Sequence, residues 1–501
     1  MKSITKRLMF IIQAAISAGL LYLAASGGFL PGKYMTLLAV LIVVLLVITF
    51  LLTQSRKSPV RIIGIVLAII ISGVLLTGAV YIHRILNTLD QVSEEKAQVS
   101  GYVVSVASDN SALTIEETSG YRIGILSDMD TDLTEKICTE IGTANGDTEG
   151  SSSPLHTESF ESPVAMAQAL LDGEIDAGVL NEAYTDILDE VVEDYSSKTR
   201  VIYEMEFQTN TYGNAETSDT STTAGKNTSE NEASGKIMDN SLIEDAFTVL
   251  ISGIDVRGSI SKTSRSDVNI LMTVNPKTHR ILLTTTPRDY YVYIPEVSGG
   301  MRDKLTHAGI YGVEASMRTL GNLYDVEVND YIRINFDSVV QLVDALGGVD
   351  VYSDYTFTTR GGKYTFNEGL NHLNGEEALA FSRERYAFQD GDNQRGRNQM
   401  AVLAAMINKL QSPAILKNPG EILKVVGESM QTSFTRTEIA DLIAWQLSEG
   451  KGWDVTRQAV SGHGDSQQTY SMKGINLYVM WPDEESVAEA AKKIREITEE
   501  N

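Results

Sequence analysis

The chain has 501 residues, enough for two or three folded units, and its 41 Lys and Arg against 66 Asp and Glu give a formal charge of -25. So acidic a chain is repelled by nucleic acid unless one basic face is locally concentrated, and we expect no nucleic-acid partner. The single cysteine, Cys138, excludes an intramolecular disulfide, so an external domain of this chain fits a bacterial surface better than a eukaryotic secretory route.

Three apolar stretches occupy the first 85 residues, at 8–25, 34–53 and 62–82. Each has about the length that an α-helix needs to cross a bilayer, roughly 20 residues. The first could instead be a signal peptide, because small residues follow it at 24–26, but two further apolar stretches come directly after it. We therefore predict a three-helix membrane anchor over residues 1–85.

The basic residues of this anchor predict its orientation. They precede the first apolar stretch and separate the second from the third, whereas the loop 27–33 carries only Lys33; the flanking residues are Lys2, Lys6, Arg7, Arg56, Lys57 and Arg61. By the positive-inside rule the N-terminus is cytoplasmic and everything after about residue 85 is extracellular. The sequence thus predicts a multi-pass protein of the cell membrane.

Residues 86–207 are predicted to form a stalk and a small accessory α/β domain. The polar residues 86–100 are typical of a helical stalk. Beyond them, 121–126 has the pattern of a strand, 161–176 that of an amphipathic helix, and the segment from 177 begins as a strand, an arrangement reminiscent of one lobe of solute-binding proteins. Catalytic residue types do not gather here, so we expect an accessory or docking role.

Residues 208–242 are rich in Ser, Thr, Asn, Gly and Glu and poor in large apolar side chains. Such a segment buries too little surface to offset its ordering entropy, which predicts a flexible linker. The main domain follows at 243–501, including a C-terminal extension, and alternating patterns of strand and helix predict a mixed α/β fold with a central sheet. The clearest elements are strands at 247–255, 266–276, 278–289 and 331–336, helices at 312–324 and 337–346, and a final helix that Asp483 can cap.

Charged residues stand at the ends of the first three strands of this domain. Asp255 and Asp267 are twelve residues apart, each at the edge of an apolar strand. Two carboxylates that converge from neighbouring strand ends are a common way to hold Mg²⁺ while leaving positions for water and phosphate oxygens. The alternative is that each carboxylate only caps a turn.

Arginines accompany these carboxylates. Arg288 and Asp289 end the third strand, and Arg383 and Arg385 are two residues apart in a segment that, if extended, points both to one face. A further group lies in a Gly-rich segment that we predict to be a loop: Asp392, Arg395 and Arg397, with Asn398 and Gln399 as polar neighbours. Any one of these could be a solvated surface charge, but together they favour a site for a phosphate-rich anion.

Several common catalytic motifs are absent from the sequence, among them HExxH, CxxC, GxSxG and the Walker loop. A zinc or serine-hydrolase mechanism therefore has little support. The reaction that fits is a displacement at phosphorus, in which cations neutralise the charge that develops on a leaving phosphate group.

Seven separated segments resemble the LytR–CpsA–Psr family of cell-wall glycopolymer transferases over roughly residues 245–412. They are LISGIDVR, SRSDVNILMTVNPKTHRI, TTTPRDYYVYIP, DKLTHAG, LVDALGGVDV, LNGEEALAFSRER and GDNQRGRNQ. The order of anchor, accessory domain and main domain is similar to the capsule-type CpsA branch. The resemblance implies a Mg²⁺-dependent phosphotransferase that attaches a polyprenyl-pyrophosphate-linked glycan, such as capsule or teichoic acid, to peptidoglycan through a phosphodiester bond.

The resemblance also implies roles for individual residues. The metal ligands would be Asp255 and Asp267; the pyrophosphate would be bound by Arg265, Arg288, Arg383, Arg385, Arg395 and Gln399; and the catalytic group would comprise Asp267, Arg288, Arg383, Arg385 and Asp392. Arg257 is a further candidate from the GIDxR segment, and the general base is either Asp267 or Asp392. Family members often read D-x-x-R-x-x-R-Q, but here Asn398 takes the second arginine position, which leaves the role of Arg397 open. Residues 339–346 could help to line a prenyl tunnel.

Three alternatives to a transferase remain. The chain could be a non-catalytic scaffold that binds the lipid donor, or an enzyme that hydrolyses the lipid pyrophosphate with water as acceptor. It could also be a transcriptional attenuator of envelope synthesis, a label often given to this family, although the predicted topology leaves no cytoplasmic domain to bind DNA.

Overall fold

The computed structural model describes residues 2–93, 98–127, 129, 131–145, 155–208, 240–254, 260–412 and 419–500. Most of the predicted linker therefore lies outside the described residues, as do Asp255 and Arg257. The predicted domain boundaries stay predictions.

The anchor consists of three long helices, α1 (Lys2–Ser26), α2 (Gly32–Gln54) and α3 (Ser58–Ser93). All three are long and apolar enough to cross a membrane and they pack against one another. The predicted stalk is not a separate element, because α3 continues from the third span to Ser93 without a break. Val99 and Ser100, which the prediction included in the stalk, belong instead to the first strand.

The accessory unit is a five-stranded sheet with four helices. Its strands are β1 (Val99–Ala107), β2 (Arg122–Leu126), β3 (His156–Phe160), β4 (Ala177–Asn181) and β5 (Thr199–Gln208), in the order β3-β2-β4-β1-β5. Its helices are α4 (Thr131–Ala144), α5 (Pro163–Leu171), α6 (Thr185–Val191) and α7 (Tyr195–Lys198). The predicted strands at 121–126 and from 177 are confirmed. The predicted helix is shorter than expected, since Gly173, with φ +74°, ends it.

The main unit is built on a six-stranded sheet in the order β16-β11-β6-β7-β8-β17. In chain order its strands are β6 (Phe247–Ile254), β7 (Ser266–Asn275), β8 (Arg280–Thr285), β9 (Tyr291–Tyr293), β10 (Arg302–Lys304), β11 (Asp330–Asn335), β12 (Val349–Ser353), β13 (Phe357–Thr358), β14 (Thr365–Phe366), β15 (Gly369–Leu373), β16 (Met430–Thr432), β17 (Asp454–Ala459), β18 (Gly462–Gln467) and β19 (Leu477–Pro482). Its helices are α8 (Leu305–Ala308), α9 (Val313–Tyr324), α10 (Phe336–Ala345), α11 (Gly375–Arg383), α12 (Gly391–Leu410), α13 (Pro419–Ser429), α14 (Arg436–Glu449) and α15 (Glu484–Glu499). The predicted mixed α/β class is confirmed.

Alternation along the strands explains why this sheet is covered on both faces. In β6, Leu250 packs with α9 and α15, whereas Val249 and Ile251 pack on the opposite face with α12 and α14. The predicted cap of the last helix is confirmed, because the Asp483 side chain accepts hydrogen bonds from the backbone of α15. Strands with two buried faces form a rigid platform whose ends carry the polar residues.

The other two units pack on the main unit from different sides. The accessory unit shares an apolar cluster with it and contributes a hydrogen bond between the hydroxyls of Tyr184 and Tyr311, at 3.1 Å. On the anchor side, Arg436 of α14 binds Asp90 of α3 at 2.7 Å. Lys33, at the start of α2, donates to the backbone carbonyl of Ser448 at 2.7 Å.

Candidate active site

One end of the central sheet brings Asp267 and Arg288 together. β7 and β8 run antiparallel, with Ile270 opposite Thr285, so the start of β7 and the segment after β8 meet at the same edge. Arg288 donates to Asp267 at 2.9 Å, and the Thr306 hydroxyl donates to the same carboxylate oxygen at 3.2 Å. The two charges are largely shielded from solvent, a setting in which an ion pair is strong only when further donors complete it.

Asp289 forms the second charged contact of this edge. Its buried carboxylate binds Lys304 and lies 3.7 Å from Nε of Arg288. Burial alone would raise the pKa of Asp289, but the neighbouring Lys304 and Arg288 charges hold that pKa below its ordinary value. Arg288 is therefore held between two carboxylates while it also lines a polar cavity.

The predicted loop around Asp392 is wrong, because the segment forms the first turns of helix α12. An acidic residue in a first turn is favoured by the helix dipole, and Asp392 also binds Arg395 at 3.0 Å across one turn. Gly396 lets the helix approach the end of β8, since a Cβ at that position would lie 3.0 Å from the Thr285 hydroxyl. The two glycines that suggested a loop thus permit close packing of a helix.

Helical spacing explains which side chains of α12 face the site. Asp392, Arg395 and Gln399 follow one another at intervals of three and four residues and line the same polar cavity. Arg397 points elsewhere, to Gln394 at 2.8 Å and to Asp390 at 2.8 Å. The departure from the family pattern at positions 397 and 398 therefore falls outside this cavity.

The prediction that Arg383 and Arg385 share one face of an extended segment is also wrong. Helix α11 continues to Arg383, because a capping box at Asn374 starts it and nothing interrupts it before Glu384. The Arg383 guanidinium lies over the Phe336 ring at 4.5 Å. Arg385 lies past the helix end, 3.6 Å from Asp392. Both arginines border the site, but they approach it from different elements.

Arg265 is held by the accessory unit. Its guanidinium contacts Asp186 at 3.2 Å and Glu190 at 3.4 Å, both on α6. The Arg265 side chain is largely buried, whereas the two carboxylates are mostly exposed. The accessory unit thus supplies two acidic groups to an arginine that the sequence assigns to the anion site.

The electrostatics keep Asp267 ionised. Burial tends to raise its pKa, but the charges of Arg288, Arg265 and Arg395 outweigh burial and hold that pKa below the ordinary value. Burial lowers the pKa of Arg395, and the Arg288 charge lowers it further. Guanidinium groups this close together repel one another unless an anion binds to them, and such a cluster is typical of a phosphate site.

Gln399 lines two cavities. The polar one lies at the ends of β7, β8 and β17 and is lined by Asp267, Arg288, Asp392, Arg395 and Gln399, among others. The apolar one has an empty volume of about 540 Å³, part of it open to solvent, between the sheet and helices α10, α11 and α12. Its walls include Ile251, Ile270, Phe336, Val339, Val402 and Met406. Of the residues 339–346 predicted for a tunnel, only Val339 lines it, while Leu342 and Val343 belong to the core behind it.

The described structure thus gathers most of the predicted site residues around the polar cavity. Asp267, Arg288, Asp392, Arg395 and Gln399 line it, Arg385 binds one of its walls, and Arg383 lies at the rim of the apolar cavity. Sequence reasoning did not single out Lys304 and Thr306, which complete the contacts of Asp289 and Asp267. Both belong to the DKLTHAG segment, and the resemblance of that segment to the family could have pointed to them.

The carboxylates fit the requirements of a magnesium ion in part. Asp267 and Asp392 line the same cavity, and Mg²⁺ commonly takes one or two carboxylates together with water and phosphate oxygens. Within the described ranges no three His, Cys, Asp or Glu side chains gather as metal ligands. The second predicted ligand, Asp255, is outside those ranges.

Fold and site together describe an α/β protein with three apolar N-terminal helices, a polar cavity lined by arginines and carboxylates, and an adjoining apolar cavity. Residues 207–494 match the LytR_cpsA_psr family, and the chain belongs to that family. The predicted family is confirmed, whereas the capsule-type branch stays a prediction.

Curated relatives from several bacteria carry the name polyisoprenyl-teichoic acid–peptidoglycan teichoic acid transferase TagU. The one from Oceanobacillus iheyensis is 32% identical over 248 residues, which cover 48% of this chain and 73% of the relative. The one from Bacillus subtilis is 33% identical over 257 residues, 51% of this chain and 79% of the relative. The crystal structure of B. subtilis TagU is 30% identical, with a TM-score of 0.40, over 52% of this chain and 99% of that one.

Proposed function

We propose that the protein is a transferase that moves a glycan phosphate from a polyprenyl pyrophosphate carrier to peptidoglycan. The observation that carries the proposal is that Gln399 lines both the polar and the apolar cavity. A polyprenyl pyrophosphate has a doubly charged head directly next to a long apolar chain, and the two cavities offer matching surroundings side by side. The names of the TagU relatives support a donor and an acceptor of this kind.

In this proposal the arginines bind the pyrophosphate. Arg288 and Arg395 line the polar cavity, and Arg385 extends from its rim. Guanidinium groups suit this task because they stay charged and can form paired hydrogen bonds to phosphate oxygens. The prenyl chain would occupy the apolar cavity, where burial of its methylene groups contributes binding energy.

The transfer step is a substitution at the phosphorus that carries the glycan. The acceptor hydroxyl oxygen forms a new bond to that phosphorus, and the bond from the phosphorus to the bridging oxygen breaks. Polyprenyl phosphate leaves, the glycan becomes joined to the acceptor through a phosphodiester, and a carboxylate accepts the hydroxyl proton. The arginines stabilise the charge that grows on the leaving phosphate.

We assign the two carboxylates different tasks. The lowered pKa of Asp267 makes it a poor proton acceptor and a good ligand for a cation. Asp392 is the better candidate to accept the hydroxyl proton, because it stands on the wall of the same cavity. A Mg²⁺ bound at Asp267 would supply additional positive charge to the phosphate oxygens.

The packing of the anchor supports an extracellular site. Phe29, in the loop between α1 and α2, and Leu86, near the end of α3, pack together against Ala440 of the main unit. That loop and the end of α3 must therefore lie on the same side of the membrane as the main unit. Most of the basic residues of the anchor lie at the opposite ends of the helices, which the positive-inside rule assigns to the cytoplasm: Lys2, Lys6, Arg7, Arg56, Lys57 and Arg61.

The experiment uses the full chain in lipid nanodiscs with Mg²⁺, a polyprenyl-pyrophosphate saccharide and a peptidoglycan oligomer. Mass spectrometry detects the phosphodiester-linked product, and separate reactions with a capsule-type and a teichoic-acid-type donor test the nature of the glycan. Arg288→Ala should abolish the product, whereas Arg397→Ala, a matched loss of one arginine outside the polar cavity, should retain it. Release of free glycan phosphate would instead indicate a hydrolase. Donor binding without either product would indicate a scaffold.

A further inference from the structure

Tyr478 is an exposed tyrosine near the end of the sheet that carries the polar cavity, and it has no role in the chemistry described above. Met480 donates its backbone N–H to the carbonyl of Asp289 at 2.7 Å, and Met480 and Tyr290 form a parallel bridge. Tyr478 precedes Met480 by two residues on β19, so its side chain lies on the same face of that strand as Met480. Tyr478 retains 52% exposure although its neighbours Leu477 and Val479 are buried.

The Tyr478 ring has a defined position. Its phenol end rests against Gly464 of β18, where a Cβ would lie 2.8 Å from Cε2 and 3.0 Å from the hydroxyl oxygen. The glycine therefore leaves room that any other residue would fill. Burial raises the pKa of Tyr478, and the charges of Asp289 and Asp392 raise it further, so the hydroxyl stays protonated and able to donate. A fixed aromatic ring with a polar end is well suited to hold a ligand that has both apolar and hydroxyl-bearing faces.

The order of strands gives a direction to a bound donor. The apolar cavity lies over β11, β6 and β7, and the polar cavity lies at the ends of β7, β8 and β17. The chain leaves β17 directly into the hairpin of β18 and β19. A donor with its prenyl chain over β6 and its pyrophosphate beside β8 therefore directs its sugar past β17, toward this hairpin.

We propose that Tyr478 forms a subsite for the pyranose ring attached to the pyrophosphate of the donor. The ring packs against one face of the sugar, and Gly464 keeps the ring in place from below. This inference rests on the proposed function, because it takes the position of the pyrophosphate from it. It adds a determinant of donor specificity that acts on the sugar, apart from the phosphate and prenyl contacts.

The test compares two lipids on the full chain in nanodiscs: a polyprenyl-pyrophosphate disaccharide and the same polyprenyl pyrophosphate without sugar. Tyr478→Ala should weaken binding of the disaccharide lipid by roughly 3- to 10-fold, a typical value for one aromatic contact. Binding of the sugar-free lipid should not change. Tyr478→Phe should retain most of the affinity, because the ring remains.

Tyr352→Ala is the matched control, since Tyr352 is an equally exposed tyrosine on β12 that lines neither cavity. Equal losses for both lipids, no loss for either, or an effect confined to the peptidoglycan acceptor would overturn the subsite. Tyr478→Leu keeps apolar bulk without a flat ring and replaces the alanine variant if that one does not fold. If the wild-type chain does not transfer the glycan to peptidoglycan, the proposed function is refuted. The subsite is tested separately, by the ratio of the affinities for the disaccharide lipid and the sugar-free lipid.

Discussion

Neutralising the two carboxylates of α6 that grip Arg265 should tighten donor binding. Under the proposed function, Asp186 and Glu190 would compete with a pyrophosphate for the guanidinium of Arg265, which both of them contact. The double variant Asp186→Asn/Glu190→Gln preserves side-chain shape and removes both charges. The accessory unit should keep its position, because its apolar cluster with the main unit and the hydroxyl contact of Tyr184 remain.

The exposure of the carboxylates limits the size of the effect. The side chains of Asp186 and Glu190 are 70% and 60% exposed, and exposed ion pairs contribute roughly 0.2–1 kcal/mol each. Two such pairs amount to at most about 2 kcal/mol. At about 1.4 kcal/mol per tenfold, donor affinity should rise between about 2-fold and 25-fold.

The assay is equilibrium binding of a polyprenyl-pyrophosphate saccharide to the full chain in nanodiscs at low and high salt. The gain should shrink as salt screens the exposed charges. Glu193→Gln, which removes one negative charge just past the end of α6, is the control and should leave affinity within about 2-fold. Unchanged or weaker binding by the double variant would refute the competition and would mean that α6 holds Arg265 in its binding position.

Other variants test the remaining parts of the site. Arg288→Ala should lower the free energy of unfolding by about 3 kcal/mol, because it leaves the buried Asp267 carboxylate without its main partner; chemical denaturation measures this. A carboxyl whose folded pKa lies below its unfolded value, about 3.9, stabilises the fold above that pH and loses this contribution as the pH falls. Without Arg288, burial raises the pKa of Asp267 with less opposition, so the variant lacks most of the stabilising contribution that the wild type loses on acidification. The difference in stability between wild type and variant should therefore shrink as the pH falls through the unfolded value, and a constant difference would contradict this. Val339→Trp should block the apolar cavity and weaken binding of a long-chain donor. Val339→Leu is the control variant, and binding of a short-chain pyrophosphate should be unchanged by the tryptophan. Gly396→Val should push α12 away from Thr285 and reduce turnover. Gly396→Ala should reduce turnover less, because it adds a single methyl group, 3.0 Å from the Thr285 hydroxyl.

The sequence predicted those features that depend on local pattern. Apolar runs located the central strands, the glycines at 347 and 348 ended α10 with positive φ angles of 75° and 86°, and Asp483 capped α15. Charged residues at strand ends pointed to a site because buried strands tolerate charge poorly. The same reasoning led to Asp267 and Arg288, which form the ion pair at 2.9 Å.

The features that the sequence did not predict depend on packing over long distances. Gly391 and Gly396 suggested a loop, yet glycine in a helix is tolerated where a neighbouring element needs the space, as Thr285 does here. The contact between Arg265 and Asp186 joins residues 79 positions apart in different units. No local pattern reports such a contact, and the sequence therefore left the role of the accessory domain open.

The orientation of the sheet relative to the anchor ties the parts of the site to the membrane. Strand β16 and helix α13 both contact α3, and α13 packs in turn on α10, which forms one wall of the apolar cavity. From that anchored edge the sheet continues through β11, β6, β7 and β8 to β17. The anchor also reaches the other end of the sheet, because Lys33 and Tyr34 of α2 bind the backbone carbonyls of Ser448 and Leu447, shortly before β17. The anchor therefore contacts both ends of α14, from Arg436 after β16 to Ser448 before β17. Under the proposed function, these contacts would hold both cavities at a fixed position relative to the bilayer that contains the lipid-linked donor.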